Sequence, residues 1–232
     1  MRFPYARRVL PAAAVITLIT SCGTGTGTGT GTGKDTHAGT GPSSAPKSQA
    51  PQAPKPFDED ELTARQLTPQ DLPDHKIEEA FQGALISSDK PECRDLATVL
   101  LGGAMTGTLG QVHNKATKGT TATKVSLHSW TATKAGSVLA DVRAGGQACG
   151  GGFNAVSGTD KVKITKVVAA PATGGDESVA YSAEQEQDGE KSSVEVVLVR
   201  QGTTTATFTA RSASGAAEPP AAVVAAQLKK LH

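Results

Sequence analysis

Ser193-Val194-Glu195-Val196-Val197-Leu198-Val199-Arg200-Gln201-Gly202-Thr203-Thr204-Thr205-Ala206-Thr207-Phe208-Thr209-Ala210 is the stretch that decides the fold. Both of its halves are rich in β-branched residues, and Gln201-Gly202 between them is a two-residue turn signal. The stretch therefore reads as a hairpin of strands Ser193–Arg200 and Thr203–Ala210. Upstream, Asp188-Gly189 marks a second turn and Ser178–Glu184 a third strand. Lys161–Val168 and Gly151–Val156 continue the period of two, and Val125 to Trp130 alternates in the same way. Successive strands joined by short turns favour an antiparallel meander.

Outside this block the period changes to that of a helix. Thr68-Pro69-Gln70-Asp71 has the form of a capped helical turn. Asp74 caps a stretch in which Ile77, Ala80, Phe81, Ala84 and Leu85 recur at three and four, predicting a helical segment. Pro91 opens a helix carrying Leu96, Val99, Leu100 and Ala104 on one face. A further helix runs from Lys134 to Ala144 through Ala135, Val138, Leu139 and Val142, with Gly145-Gly146 as its cap. Pro219-Pro220 starts a last helix with Val223, Val224 and Leu228 on one side, and Lys229 and Lys230 complement its C-terminal dipole. The expected class is α+β: an antiparallel sheet of about five to six strands flanked by helices, which cover one face.

The amino terminus has a different composition. Arg2, Arg7 and Arg8 precede an apolar run from Val9 to Ile19, too short for a comfortable permanent span. It ends in Ile19-Thr20-Ser21-Cys22, which resembles the lipobox of bacterial lipoproteins. The resemblance implies diacylglycerol on the Cys22 sulfur and removal of residues 1–21 as a signal peptide. Anchoring then rests on lipid, since the mature chain carries a small net negative charge with nothing to hold an anionic surface. Gly/Thr-, Ser- and Pro-rich sequence follows, and residues 22–63 read as a disordered tether with a reach of roughly 35–40 Å. Within it, Gly33-Lys34 lacks the rest of a phosphate loop. The acidic run Asp58 to Glu61 reads as a solvated domain edge. Residues 64–232 form the extracytoplasmic domain.

Leu67-Thr68-Pro69-Gln70-Asp71-Leu72-Pro73, Pro91-Glu92-Cys93, Val142-Arg143 and Cys149-Gly150-Gly151-Gly152-Phe153 together resemble the PknH-like group. That group comprises actinobacterial lipoproteins and the extracytoplasmic sensor domains of some receptor Ser/Thr kinases. The resemblance implies a helix-flanked antiparallel sheet with a ligand groove. Kinase sensor domains of the group hold two disulfides, whereas this chain has thiols for one. With Cys22 lipidated, Cys93 and Cys149 remain as an even pair in an oxidising compartment, and a Cys93–Cys149 bridge is the simplest pairing.

The chain has 232 residues, a formal charge of +1 and 3% aromatic residues. That near-zero charge argues against a nucleic-acid partner. His37, His75, His113, His128 and His232 have no neighbour at metal-ligand spacing, so neither a metal nor any other cofactor is expected. No Gly-x-Ser-x-Gly elbow occurs. Ser87-Ser88-Asp89-Lys90 fits Ser-x-x-Lys without the companion motifs of penicillin-recognising enzymes. Glu184, Glu186, Asp188 and Glu190 straddle a turn, where hydration leaves no raised pKa for glycosidase work.

The sequence is thus read as a non-enzymatic, lipid-anchored domain on the extracytoplasmic face of the cell membrane. It binds or senses a small-molecule, lipid or cell-wall ligand, in a groove near His128, Trp130 and Phe153. A hydrolase assembled only by folding and a passive spacer are the alternatives.

Overall fold

A computed structural model describes residues 54–232. The signal peptide, Cys22 and most of the expected tether lie outside the described residues.

The expected α+β class with five to six strands is corrected: the chain forms one sheet of nine strands, all antiparallel. The structure is mostly sheet, with four helices among the described residues. The strands are β1 (Lys76–Glu79), β2 (Ile86–Ser88), β3 (Gly110–Lys118), β4 (Thr121–Ser129), β5 (Phe153–Ser157), β6 (Asp160–Ala170), β7 (Glu177–Gln187), β8 (Glu190–Gln201) and β9 (Thr204–Ser212). The helices are α1 (Glu59–Thr63), α2 (Arg94–Leu101), α3 (Ala132–Ala148) and α4 (Ala221–Lys230), with a 3-10 turn at Pro91–Cys93 leading into α2. The sheet order is β1-β3-β4-β9-β8-β7-β6-β5-β2.

That order has a geometric consequence. β1 and β2 are consecutive in sequence yet occupy opposite edges. Nine strands at about 4.8 Å spacing would separate those edges by about 38 Å if flat. The seven Cα steps from Glu79 to Ile86 reach at most about 25 Å. The sheet must therefore coil, and a register shift between Ile164 and Lys166 lies where β6 pairs with β7.

Residues 80–85 form the strap between the edges, where a helical segment was expected. A Cβ on Gly83 would collide with the backbone of Gly102 and Gly103, so only glycine lets the strap pass the end of α2. Phe81 is 95% exposed and Leu85 67%. Their helical spacing therefore does not reflect a buried helix face.

Each face of the sheet buries its own core. On one face, Val194, Val196 and Leu198 of β8 pack with Leu96, Val99, Leu100, Leu139 and Val142 of α2 and α3. On the other, Val125, Leu127, Ala206 and Phe208 pack with Leu62, Leu67, Leu72, Val223 and Val224. Helices thus cover both faces, not one. The acidic run Asp58–Glu61 is more than a solvated edge: Asp58 and Glu61 form a reciprocal capping box for α1, which buries Leu62. Packed structure accordingly begins within the segment read as tether.

α3 also runs past its expected glycine stop. Gly145 and Gly146 remain helical because the missing side chains admit Leu96 and the Tyr181 ring at close range.

Candidate functional site

Three side chains from the sheet finish α2. A helix leaves its last carbonyls unpaired. Here Gly103 N–H donates to Thr98 O, while Thr209 Oγ1 donates to Val99 O at 3.0 Å and Arg211 Nη2 to Leu100 O at 2.9 Å. Lys124 Nζ donates to Gly102 O at 2.9 Å. The two cations complement the negative end of the helix dipole. Burial pushes the pKa of both Lys124 and Arg211 down.

The disulfide expected from the sequence is present, joining Cys93 before α2 to Cys149 after α3, both fully buried. Arg143 ties α3 to the sheet through Glu177 at 2.7 Å, and Arg200 joins the same carboxylate and Asp176. With α2 and α3 held in this way, a cavity of about 390 Å³ opens between them and residues 85–86 and 104–106. That volume falls in the range of small-molecule sites. Trp130, Ile86, Val138 and Val142 give it an apolar lining. Arg94 and Asp95 of α2, and Lys134 and Asp141 of α3, add charge of both signs. The Trp130 ring is fixed by Nε1 donating to Thr205 Oγ1 at 2.8 Å.

The three residues expected at a groove are separated. Trp130 lines the cavity. His128 lies buried beside it, with ring centroids 6.0 Å apart, and does not line it. Phe153 sits in the core and does not line the cavity. Arg94, Thr98, Met105, Lys134 and Asp141 line the cavity without having been singled out. The helical face of Lys134 and Asp141, one heptad apart beside Val138, was the available signal.

Other motifs resolve into structure. Lys90 Nζ donates to Gly152 O, and Asp89 accepts from the Asn154 backbone and amide, so this segment staples β2 to β5. Gly152 has φ +93°, and a Cβ there would collide with Ile164 O. Asp188 and Glu190 are exposed at the β7–β8 turn, and Glu184 is exposed within β7. Among the described residues no three His, Cys, Asp or Glu side chains gather as a metal site. No described helix is long and apolar enough to cross a membrane.

No protein family profile matches the chain, and no curated protein sequence does. Among solved structures, the extracellular domain of PknH from Mycobacterium tuberculosis superposes with a TM-score of 0.53 at 12% identity, covering 76% of this chain and 97% of that one. An uncharacterised protein from Mycobacterium smegmatis, the Rv0999 ortholog, matches with a TM-score of 0.42 at 12% identity, over 68% of this chain and 90% of the other. The first likeness establishes a shared fold.

Proposed function

We propose that the folded part of this chain is a non-catalytic, sensor-like ligand-binding domain held on the extracytoplasmic face of the cell membrane by lipid on Cys22. The observation that carries the reading is the cavity between α2 and α3, with its apolar lining and charged rim. The fold shared with an extracellular domain supports the location. The ligand is a small molecule, lipid or cell-wall fragment with an apolar part to cover Trp130.

Trp130 is the only tryptophan, so its fluorescence reports the cavity directly. Full-length protein purified from its native membranes should carry a co-purifying small molecule. Re-adding that molecule to stripped protein should shift Trp130 emission saturably, and Thr98→Phe, which fills the cavity from α2, should abolish the shift. A co-purifying species that leaves Trp130 unaffected, or that binds Thr98→Phe equally well, would place recognition elsewhere; no bound species at all favours a spacer.

Anchoring is tested separately. Cys22→Ser should move the protein from the membrane pellet to the soluble fraction, because one marginal apolar segment does not replace two acyl chains. Undiminished pelleting of the variant removes the lipid from the account.

A further inference from the structure

Behind Trp130, on the same sheet face, lies a polar patch that the cavity does not use. The register sets Gln111 opposite His128 and His113 opposite Ser126 between β3 and β4. Thr207 of β9 stands opposite Ser126, and Thr205 opposite His128. The rings of His113 and His128 are edge to face, 5.6 Å apart. Ser126 Oγ meets His113 Nδ1 at 2.9 Å, leaving Nε2 as the free nitrogen.

These groups are poorly satisfied. Both nitrogens of His128, Nε2 of His113 and Oγ1 of Thr207, each able to donate, are buried without a hydrogen-bond partner among the described residues. Each such atom costs about 1–3 kcal/mol unless something meets it. His128 itself is almost completely buried.

The surrounding charge decides what that partner is. Residues of β3, β4 and β9 facing this side include Lys115, Lys124 and Arg211 and no carboxylate. Glu78, on edge strand β1, is occupied by Lys76 and Lys115. Arg200 of β8 is tied to Asp176 and Glu177. Residues 80–85 and 102–109 contain no titratable side chain. Asp95 and Asp141 of the helices line the cavity. A metal cation here would meet neutral ligands and two partly buried positive charges, whereas an anion would meet imidazole and hydroxyl donors and a favourable field.

We infer that this patch is an oxyanion site, taking a carboxylate or phosphate group between His128, the free nitrogen of His113 and the Thr207 hydroxyl. Neutral His128 offers one N–H. A bound anion favours the imidazolium, which offers two, so binding draws in a proton and strengthens as pH falls toward 5.5.

The test uses the full chain in detergent, titrated with inorganic phosphate or acetate against sodium chloride at equal ionic strength. Calorimetry and Trp130 emission are read together, because an imidazolium 6.0 Å away quenches indole. A saturable response should appear with at least one anion, and which of the two binds tighter identifies the group. Acetate affinity should be on the order of fivefold or more higher near pH 5.5 than near pH 7.5. His128→Leu and the near-isosteric Thr207→Val should each weaken binding by about tenfold or more. Thr98→Phe should leave the response intact, which separates this site from the cavity reading. The inference is overturned if neither anion gives a saturable response, if both variants retain it, or if zinc binds in their place.

Discussion

Cys93→Ala/Cys149→Ala is expected to lower the unfolding free energy by about 4 kcal/mol and the melting temperature by roughly 8–16 °C. The bridge closes a loop with a sequence separation of 56. In the chain-entropy account, a loop of that length removes this much freedom from the unfolded chain. Alanine is the appropriate replacement. Both sulfurs are fully buried in the core shared by α2 and α3, where serine hydroxyls would add an unsatisfied polar cost. Denaturant titration checks the prediction and its mechanism together. The midpoint should fall, and the slope should rise because the uncrosslinked chain exposes more surface on unfolding. A loss below about 1 kcal/mol with an unchanged slope contradicts it. The same variant reaches the candidate site, because the bridge joins the start of α2 to the end of α3, the two walls of the cavity. Ligand-induced shifts of Trp130 emission should therefore weaken even where the double variant remains folded.

The contrast between what was legible in the sequence and what was not is physical. β7, β8 and β9 alternate across a sheet whose two faces are both buried, so Val194, Val196 and Leu198 on one side and Phe208 and Ala206 on the other left a strong signal. β3 left almost none. Its residues on the α2 side are Gln111, His113, Lys115 and Thr117, so half of its alternation is polar against polar. β1 and β2 were misread because Ile77, Ala80, Phe81, Ala84 and Leu85 fit a helix by spacing, yet Gly83 must be glycine and Phe81 meets solvent. Closing a coiled sheet with a short strap is a long-range demand that no local period encodes. The disulfide was legible because setting Cys22 aside as the expected lipid site leaves two of the three cysteines, which admit one pairing. Of the three residues expected at a groove, Trp130 lines the cavity. His128, two residues earlier on the same face, lies behind it because His128 is within β4 while Trp130, just past the end of that strand, lines the gap between the helices.

Acid should destabilise this fold well before its carboxylates titrate. Burial, then the nearby Lys124, pushes the pKa of His113 down to about 4. For His128, burial, then His113 and Lys124, pushes it down to about 3. Both side chains are therefore neutral in the folded state at pH values where the unfolded chain, with an ordinary value of 6.5, already binds protons. The unfolded state takes up more protons throughout that window, so stability rises with pH and is lost as pH falls below about 6.5. The slope approaches about 1.4 kcal/mol per pH unit for fully buried His128. Half-buried His113 adds less, because solvent screens it. Between pH 7 and pH 5 the loss should be on the order of 2 kcal/mol. Carboxylates held low by their partners act in the same direction but at lower pH. For Asp71, burial is outweighed by hydrogen bonds from Lys230 and Thr68; Glu78 is held by Lys76 and Lys115, and Asp89 by Asn154. Their unfolded values near 3.8 to 4.5 confine that contribution to pH below about 5, leaving the upper window to the histidines. His128→Leu isolates the effect: it should be neutral or stabilising at pH 7, since it removes two buried unpartnered nitrogens, and should flatten the profile between pH 7 and pH 5. Equilibrium unfolding in urea at several pH values supplies the measurement. A wild-type profile that stays level down to pH 5, or a variant as steep as the wild type, would show that His128 gains its proton without leaving the fold.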